Sequence, residues 1–515
     1  MAEEAPGRPE ASSHLETWAA LLLAAHANFA GQVAVVRPEG AWSYADVLGA
    51  ASRCAGRLSG LGVTRGARVV IALDNRPETV VIERALALWG FVRVALSPRL
   101  HPEEIDFIAA DCEAAVVICE AAVAGALRCE ATVVSAEPHP AATLSLDALM
   151  AEATAPALPA IGPDDLASLM YTSGTTGRPK GAMNTHRNWH AMATRMASIL
   201  PPIGPGDVLL HVAPMSHFSG SVASAYAANG AAIATLRRFD PARAVAVARQ
   251  IGATCMPLVP TMVLDLIAGR DEGPLLPSLK VLPYGGSSIA ADALVRARAV
   301  LGDTLLQVYG MSEALIPVTA LATTEHRAGD GERARLSSAG SPVPGAAVEV
   351  CAPPGEVGEI RVRGPNVMIG YWNNPDQTRE VLDAEGWYAS GDLGRQDPSG
   401  RIEIVGRRRD VIITGGFNVY PAEVERVIAA VPGVAEAAVI GAPHARWIET
   451  VVAVVVREAG AQVGADQLLA ACRDHLAAYK KPTEIRFVPA LPRISTGKVD
   501  KRRLRELYLA GAYAP

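Results

Sequence analysis

Between Ser168 and Ala182 the chain reads SLMYTSGTTGRPKGA. Apolar residues lead into the hydroxyl side chains of Thr172, Ser173, Thr175 and Thr176. These are interleaved with Gly174 and Gly177 and followed by Lys180. Glycine lets backbone N–H groups approach an anion closely, hydroxyls donate further hydrogen bonds, and a lysine adds charge. The stretch is expected to cradle a polyphosphate. It differs from the phosphate loop of kinases and P-loop ATPases, which needs Gly-Lys-Ser/Thr. Here Lys180 follows Pro179 and precedes Gly181.

Other stretches place single chemical groups at turns. QVYGMSEA ends a strand pattern on Glu313, GWYASGDLG carries Asp392, APMSHFSG carries His217, and LPRISTGKVDKRRL holds Lys498 in a basic tail. Taken one at a time these read blandly. A glutamate at a helix start answers the helix dipole, an aspartate after glycine is a turn residue, and a lysine among basic residues is solvated.

Together, and in this order, they closely resemble the adenylate-forming superfamily of acyl- and aryl-CoA synthetases, peptide-synthetase adenylation domains and beetle luciferases. YTSGTTGRPKG matches that family's phosphate-loop signature, and the resemblance extends over most of the chain. It implies that Tyr309 meets adenine, Ser312 phosphate and Glu313 Mg²⁺, with Gly310 and Met311 in the same nucleotide-binding turn. Many members have Thr where Ser312 stands, a change that keeps the hydroxyl. The resemblance further implies that Asp392 and Arg407 contact ribose. It places Gly285, Gly286 and Ser287 of YGGSSI along adenine and acyl pocket, and His217 beside the substrate carboxylate. Ser288 could also cap the next helix. Lys498 would bridge the carboxylate and the α-phosphate. Arg409 would be a hinge, and Gly415, Gly416 and Phe417 would line a pantetheine channel.

The implied activity is ATP-dependent activation of a carboxylic acid to its acyl-AMP, then thioester formation with coenzyme A. ATP, Mg²⁺ and coenzyme A are the implied cofactors. A stand-alone enzyme loading the phosphopantetheine of an acyl carrier protein is the alternative, and a luciferase-like oxidation is a more distant one. The run HFSGSVASAYAANG has no aspartate to pair a substrate amine, which argues against an amino-acid substrate. Small residues at Gly220, Gly285 and Gly286 suggest room for the acid, and Met256, Met311 and Ile316 suggest apolar lining. Aryl, fatty and polyketide-like acids all remain open.

The elements that must hold these groups follow from hydropathy. From about Ala67 to Glu313, apolar runs such as ARVVIALDN, DVLLHVAP, AAIATL, ATCMPLVP, LKVLPYGG and TLLQVYG alternate with helical patterns such as PARAVAVARQIG and ADALVRARAVLG. This alternation predicts an α/β fold, a parallel sheet with helices on both faces. Ligands of such sheets sit at the carboxyl ends of the strands. Glycine- and proline-rich turns between short β-like runs predict a small β subdomain over about 324–408. An α+β piece over 409–515 is expected to form a mobile lid. The whole of 14–408 would bind ATP and acid, and residues 1–13 are expected to be a disordered tail rather than a signal peptide.

At 515 residues, half of them hydrophobic, the chain exceeds a single compact core. No apolar run reaches the roughly 20 residues of a spanning helix, so a cytoplasmic protein is expected. Seven scattered cysteines without C-x-x-C spacing argue against disulfides or zinc. From Arg407 onward Lys and Arg outnumber Asp and Glu by 16 to 11, while the rest has 31 against 42. A basic end on an acidic body suits a lid that meets phosphates. The absence of an aromatic-interleaved basic stripe argues against nucleic acid.

Overall fold

The computed structural model describes residues 16–172, 179–287, 289–327, 333–414, 417–444, 446–494 and 497–513. The N-terminal tail, Ser173 to Gly177, Ser288, Gly415 and Gly416 lie outside the described residues.

A seven-stranded sheet runs in the order Leu144–Ser145, Thr132–Ser135, Ala114–Cys119, Arg68–Ala72, Val92–Ala95, Leu166–Thr172, Lys180–Thr185. Its neighbours are parallel except the last pair, which is an antiparallel hairpin. The central strands read RVVIA and AAVVIC because both faces are covered by helices. Those helices carry their own start signals. Ser43 and Asp46 form a capping box for Tyr44–Gly60, and Pro77 opens Pro77–Trp89.

A second layer begins with Val208–His211 and Ala232–Thr235, followed by Val33–Arg37 and its hairpin partner Gly40–Ser43. The ATCMPLVP run does not form a full strand. It contributes only single bridges, Cys255 to Leu209 and Val281, and Leu258 to Tyr284. Those bridges still connect the layer to the sheet of Leu282–Gly285, Leu305–Tyr309, Thr319–Leu321 and Ser341–Pro342.

An antiparallel sheet of Ala347–Val350, Gly358–Arg363, Tyr388–Gln396 and Ile402–Arg407 follows. Gly358–Arg363 alternates buried and open positions, as expected of a sheet with one face on the core. Beyond a short 3₁₀ turn at Arg408–Asp410 lies an α+β unit. It is centred on the long hairpin Val434–His444 and Ile448–Arg457, with Glu484–Phe487 parallel to its second strand. The helix Pro421–Ala429 packs between this hairpin and Ile402–Arg407. Among the described residues no helix is long and apolar enough to cross a membrane.

Candidate active site

The strand ends meet the antiparallel sheet at a buried corner. Tyr309 closes Leu305–Tyr309, and its hydroxyl donates to Asp392 Oδ2 at 2.8 Å. Arg407 Nε lies 3.0 Å from Asp392 Oδ1. Asp392 and Arg407 are direct partners across Tyr388–Gln396 and Ile402–Arg407, so strand register alone sets their meeting. Asp392 is only 6% exposed. Burial, and then the Asp392 charge, hold the Tyr309 hydroxyl firmly protonated. It is therefore a fixed donor.

Glu313 follows in the turn after that strand. Its Oε1 accepts from Thr172 Oγ1 at 3.3 Å and from the Tyr371 hydroxyl at 3.0 Å. Asn184 Nδ2 holds the same turn by donating to the Ser312 carbonyl at 3.1 Å. Met311 N–H closes the turn on the Ala314 carbonyl. Gly310 has no room for a side chain, since a Cβ there would sit 2.8 Å from Ile316 Cγ2. Lys180 opens the strand after the glycine- and hydroxyl-rich stretch, and its Nζ lies 5.5 Å from the centre of the Tyr371 ring. Its pKa is lowered, chiefly by burial and also by Arg409, while Glu313 and Glu380 oppose that shift.

Lys498 reaches this cleft from far along the chain. Its turn is closed by Ile494 N–H bonding the Lys498 carbonyl at 2.9 Å. Its Cε lies 3.6 Å from where a Cβ on Gly286 would stand. Lys498 is exposed as a residue, yet protein around its ammonium lowers its pKa by burial. Arg407 and Arg409 lower it further, and Asp392 and Glu313 counter them.

His217 sits at the start of the helix Phe218–Ala228, with its Nδ1 2.6 Å from Ser216 Oγ. Burial, then the charges of Arg93 and Lys498, push its pKa down to about 4. It is a neutral imidazole at ordinary pH. Asn75 fixes the loop before it, donating to the Ala213 carbonyl and accepting from Met215 N–H.

The glycines need a correction. Gly220 is not room for the acid, since a Cβ there would lie 2.0 Å from the Met215 carbonyl oxygen. Gly285 is likewise packed, with the Val308 carbonyl oxygen 2.5 Å and the Phe218 ring 3.2 Å from its Cβ position. Only Gly286, at φ +93°, opens to the cleft, with exposed Ser287 beside it. Met256 is fully buried in the core and Ile316 nearly so. The next helix has Ala290 at its N-cap position, and Ser288 lies outside the described residues.

Arg409, in the 3₁₀ turn, lies 3.7 Å from Asp410. Phe417 is 55% exposed and stacks on Tyr479 with ring centres 4.6 Å apart, outside the cleft. Sequence reasoning missed Tyr371, Asn184 and Asn75. Each is one polar residue in an unremarkable stretch, and no spacing marks it.

A family model described as AMP-binding enzyme matches residues 22–372, and one for the AMP-binding enzyme C-terminal domain matches residues 423–498. The chain belongs to the AMP-binding enzyme family. This family member is 37% identical over 482 residues to a feruloyl-CoA synthase from Amycolatopsis sp, covering 91% of the chain and 94% of that relative. ATP-bound MatB from Rhodopseudomonas palustris matches with a TM-score of 0.85 at 33% identity, covering 95% of the chain and 99% of MatB. Apo MatB from the same organism, also 33% identical, reaches 0.75 over 96% and 99%. The AMP-binding enzyme is an acid–thiol ligase that activates a carboxylic acid with ATP and then forms its thioester with coenzyme A.

Proposed function

We propose that one cleft serves both half-reactions of this ligase, and that Lys498 is present for the first and withdrawn for the second. The observation that carries this is the position of Lys498 beside Gly286, within the fields of Glu313 and Asp392. Two anions, a carboxylate and a triphosphate, must meet in the first step, so charge neutralisation is the central problem. In this reading Lys180 and Lys498 supply positive side chains. The substrate carboxylate oxygen attacks the α-phosphorus, and the bond to pyrophosphate breaks. Tyr309 packs the adenine, while Asp392 and Arg407 hold the ribose. Ser312 and the phosphate loop, whose Ser173 to Gly177 lie outside the described residues, hold the phosphates. Neutral His217 lies beside the acid.

Glu313 fits the Mg²⁺ that this chemistry uses. It is a single buried carboxylate whose hydrogen bonds among the described residues fall on Oε1, and one carboxylate with substrate phosphates is an ordinary Mg²⁺ donor set. Bound there, Mg²⁺ would neutralise the phosphate oxygens.

In the second step a thiol sulfur attacks the acyl carbon and AMP leaves. We assign residues 14–408 to the ATP- and acid-binding domain, with a β subdomain at about 324–408. Residues 409–515 form a lid that turns about Arg409. That turn would remove Lys498 and bring Gly415, Gly416 and Phe417 to the cleft as the pantetheine channel. The exposed Phe417 is consistent with such a resting place. Free cysteines, five of them buried, fit a cytoplasmic location.

Separated half-reactions test this. Lys498→Ala should reduce acid-dependent ATP–pyrophosphate exchange by roughly 10²-fold or more, the scale of losing one preorganised charge partner. Thioester formation from supplied acyl-AMP should persist. Equal loss in both assays would count against the assignment. A carboxylate panel read by pyrophosphate release identifies the acid.

A further inference from the structure

Tyr371 joins the two charge-handling parts of the cleft. Residues 367–372 pass between the Glu313 turn and the Lys180 strand and are held to each by single bridges. Met368 N–H donates to the Glu313 carbonyl at 2.8 Å, and Ala314 bridges Val367. On the other side Ile369 N–H bonds the Met183 carbonyl, Met183 N–H the Gly370 carbonyl and Trp372 N–H the Gly181 carbonyl. Ala182 bridges Tyr371 itself. The backbone at 371 is therefore pinned to both neighbours before its side chain is considered.

The side chain then does two things. Its hydroxyl donates to Glu313 Oε1, the oxygen that also accepts from Thr172. Two donors on one oxygen hold the rotation of the carboxylate. Its ring lies beneath the Lys180 ammonium at 5.5 Å, within cation–π range. Burial, followed by the Glu313 charge, pushes the Tyr371 hydroxyl above its ordinary pKa. It stays a donor throughout the working pH range.

We infer that Tyr371 is a positioning residue for the metal-binding carboxylate Glu313 and for Lys180, setting how strongly Mg²⁺ and ATP assist each other's binding. This rests on the assignment of Glu313 to Mg²⁺. A hydroxyl that orients a ligating carboxylate acts as a second layer around the metal, where loss typically weakens metal affinity 10–100-fold. Tyr371→Phe removes that hydroxyl and keeps the ring under Lys180.

The test is calorimetric titration of the full-length protein with ATP, without acid, in EDTA and in excess Mg²⁺. The wild type should bind ATP more tightly with Mg²⁺. Tyr371→Phe should match it in EDTA and bind about tenfold more weakly with Mg²⁺. Tyr371→Leu, which also loses the ring, should weaken ATP binding in EDTA as well. Equal Mg²⁺ enhancement in wild type and Tyr371→Phe overturns the inference. Weakening by the same factor in both conditions overturns it too, because general damage does that. A wild type whose ATP affinity ignores Mg²⁺ overturns instead the assignment of Glu313.

Discussion

The Asp392 corner and the Lys498 side of the cleft are built differently. Asp392 is buried, both of its carboxylate oxygens are engaged by Tyr309 and Arg407, and Asp392 and Arg407 are paired across neighbouring strands. Lys498 comes instead from a small turn and remains open to solvent. The unit that carries it is tied to the antiparallel sheet largely by ion pairs. Glu423 accepts Arg395 at 3.0 Å, and Arg426 meets Glu403 at 3.1 Å, across the two parts; Lys480 adds a pair to Glu423 within the unit itself. A corner with every group engaged suits a nucleotide that must stay bound through both steps. Ion pairs with partly exposed members are individually weak, near 1 kcal/mol. They can hold one arrangement and still release it.

Substitutions on the two sides should therefore divide the half-reactions differently. The largest effect is expected at the turn between them. Arg409→Pro fixes φ where the proposed lid would pivot, a constraint worth about 3 kcal/mol or roughly 10²-fold. Pyrophosphate exchange should survive while thioester formation from acyl-AMP falls by that factor. Unchanged overall turnover would remove Arg409 from the pivot.

At the fixed corner the two half-reactions should fall together. Asp392→Asn leaves Arg407 without its counter-charge and weakens a charge-assisted acceptor by about 2 kcal/mol, roughly thirtyfold. Both exchange and acyl-AMP consumption should show it, mainly through nucleotide affinity. A defect confined to one half-reaction would break the contrast.

The smallest effect belongs to the ion-pair seam. Glu423→Gln should lower pyrophosphate exchange about fivefold, matching roughly 1 kcal/mol of lost closure. Acyl-AMP consumption should be unchanged or faster. Added salt should lower wild-type exchange in the same direction, since screening acts on the same contacts. If the variant and the wild type respond to salt identically, the seam does not govern closure.

Much of this was legible in the chain because the chemistry is written in short contiguous runs. The phosphate loop, the Tyr309–Glu313 turn, Asp392 and Lys498 each sit in a local motif, and the valine- and isoleucine-rich runs announce buried parallel strands. What residue types and spacing could not supply is convergence. Thr172 and Glu313 are 141 positions apart, Tyr309 and Asp392 83, and Glu313 and Tyr371 58. Their meeting depends on strand register and on which sheet edge lies beside which turn. The reading of Gly220 and Gly285 as open space failed for the same reason. A missing side chain in the sequence looks the same whether a ligand or a neighbouring carbonyl fills the gap, and only packing distinguishes them. Residue identity fixed what each group can donate, accept or neutralise. Tertiary structure decided which groups share a cleft, because hydrogen bonds and close charges act over a few ångströms of space rather than along the chain.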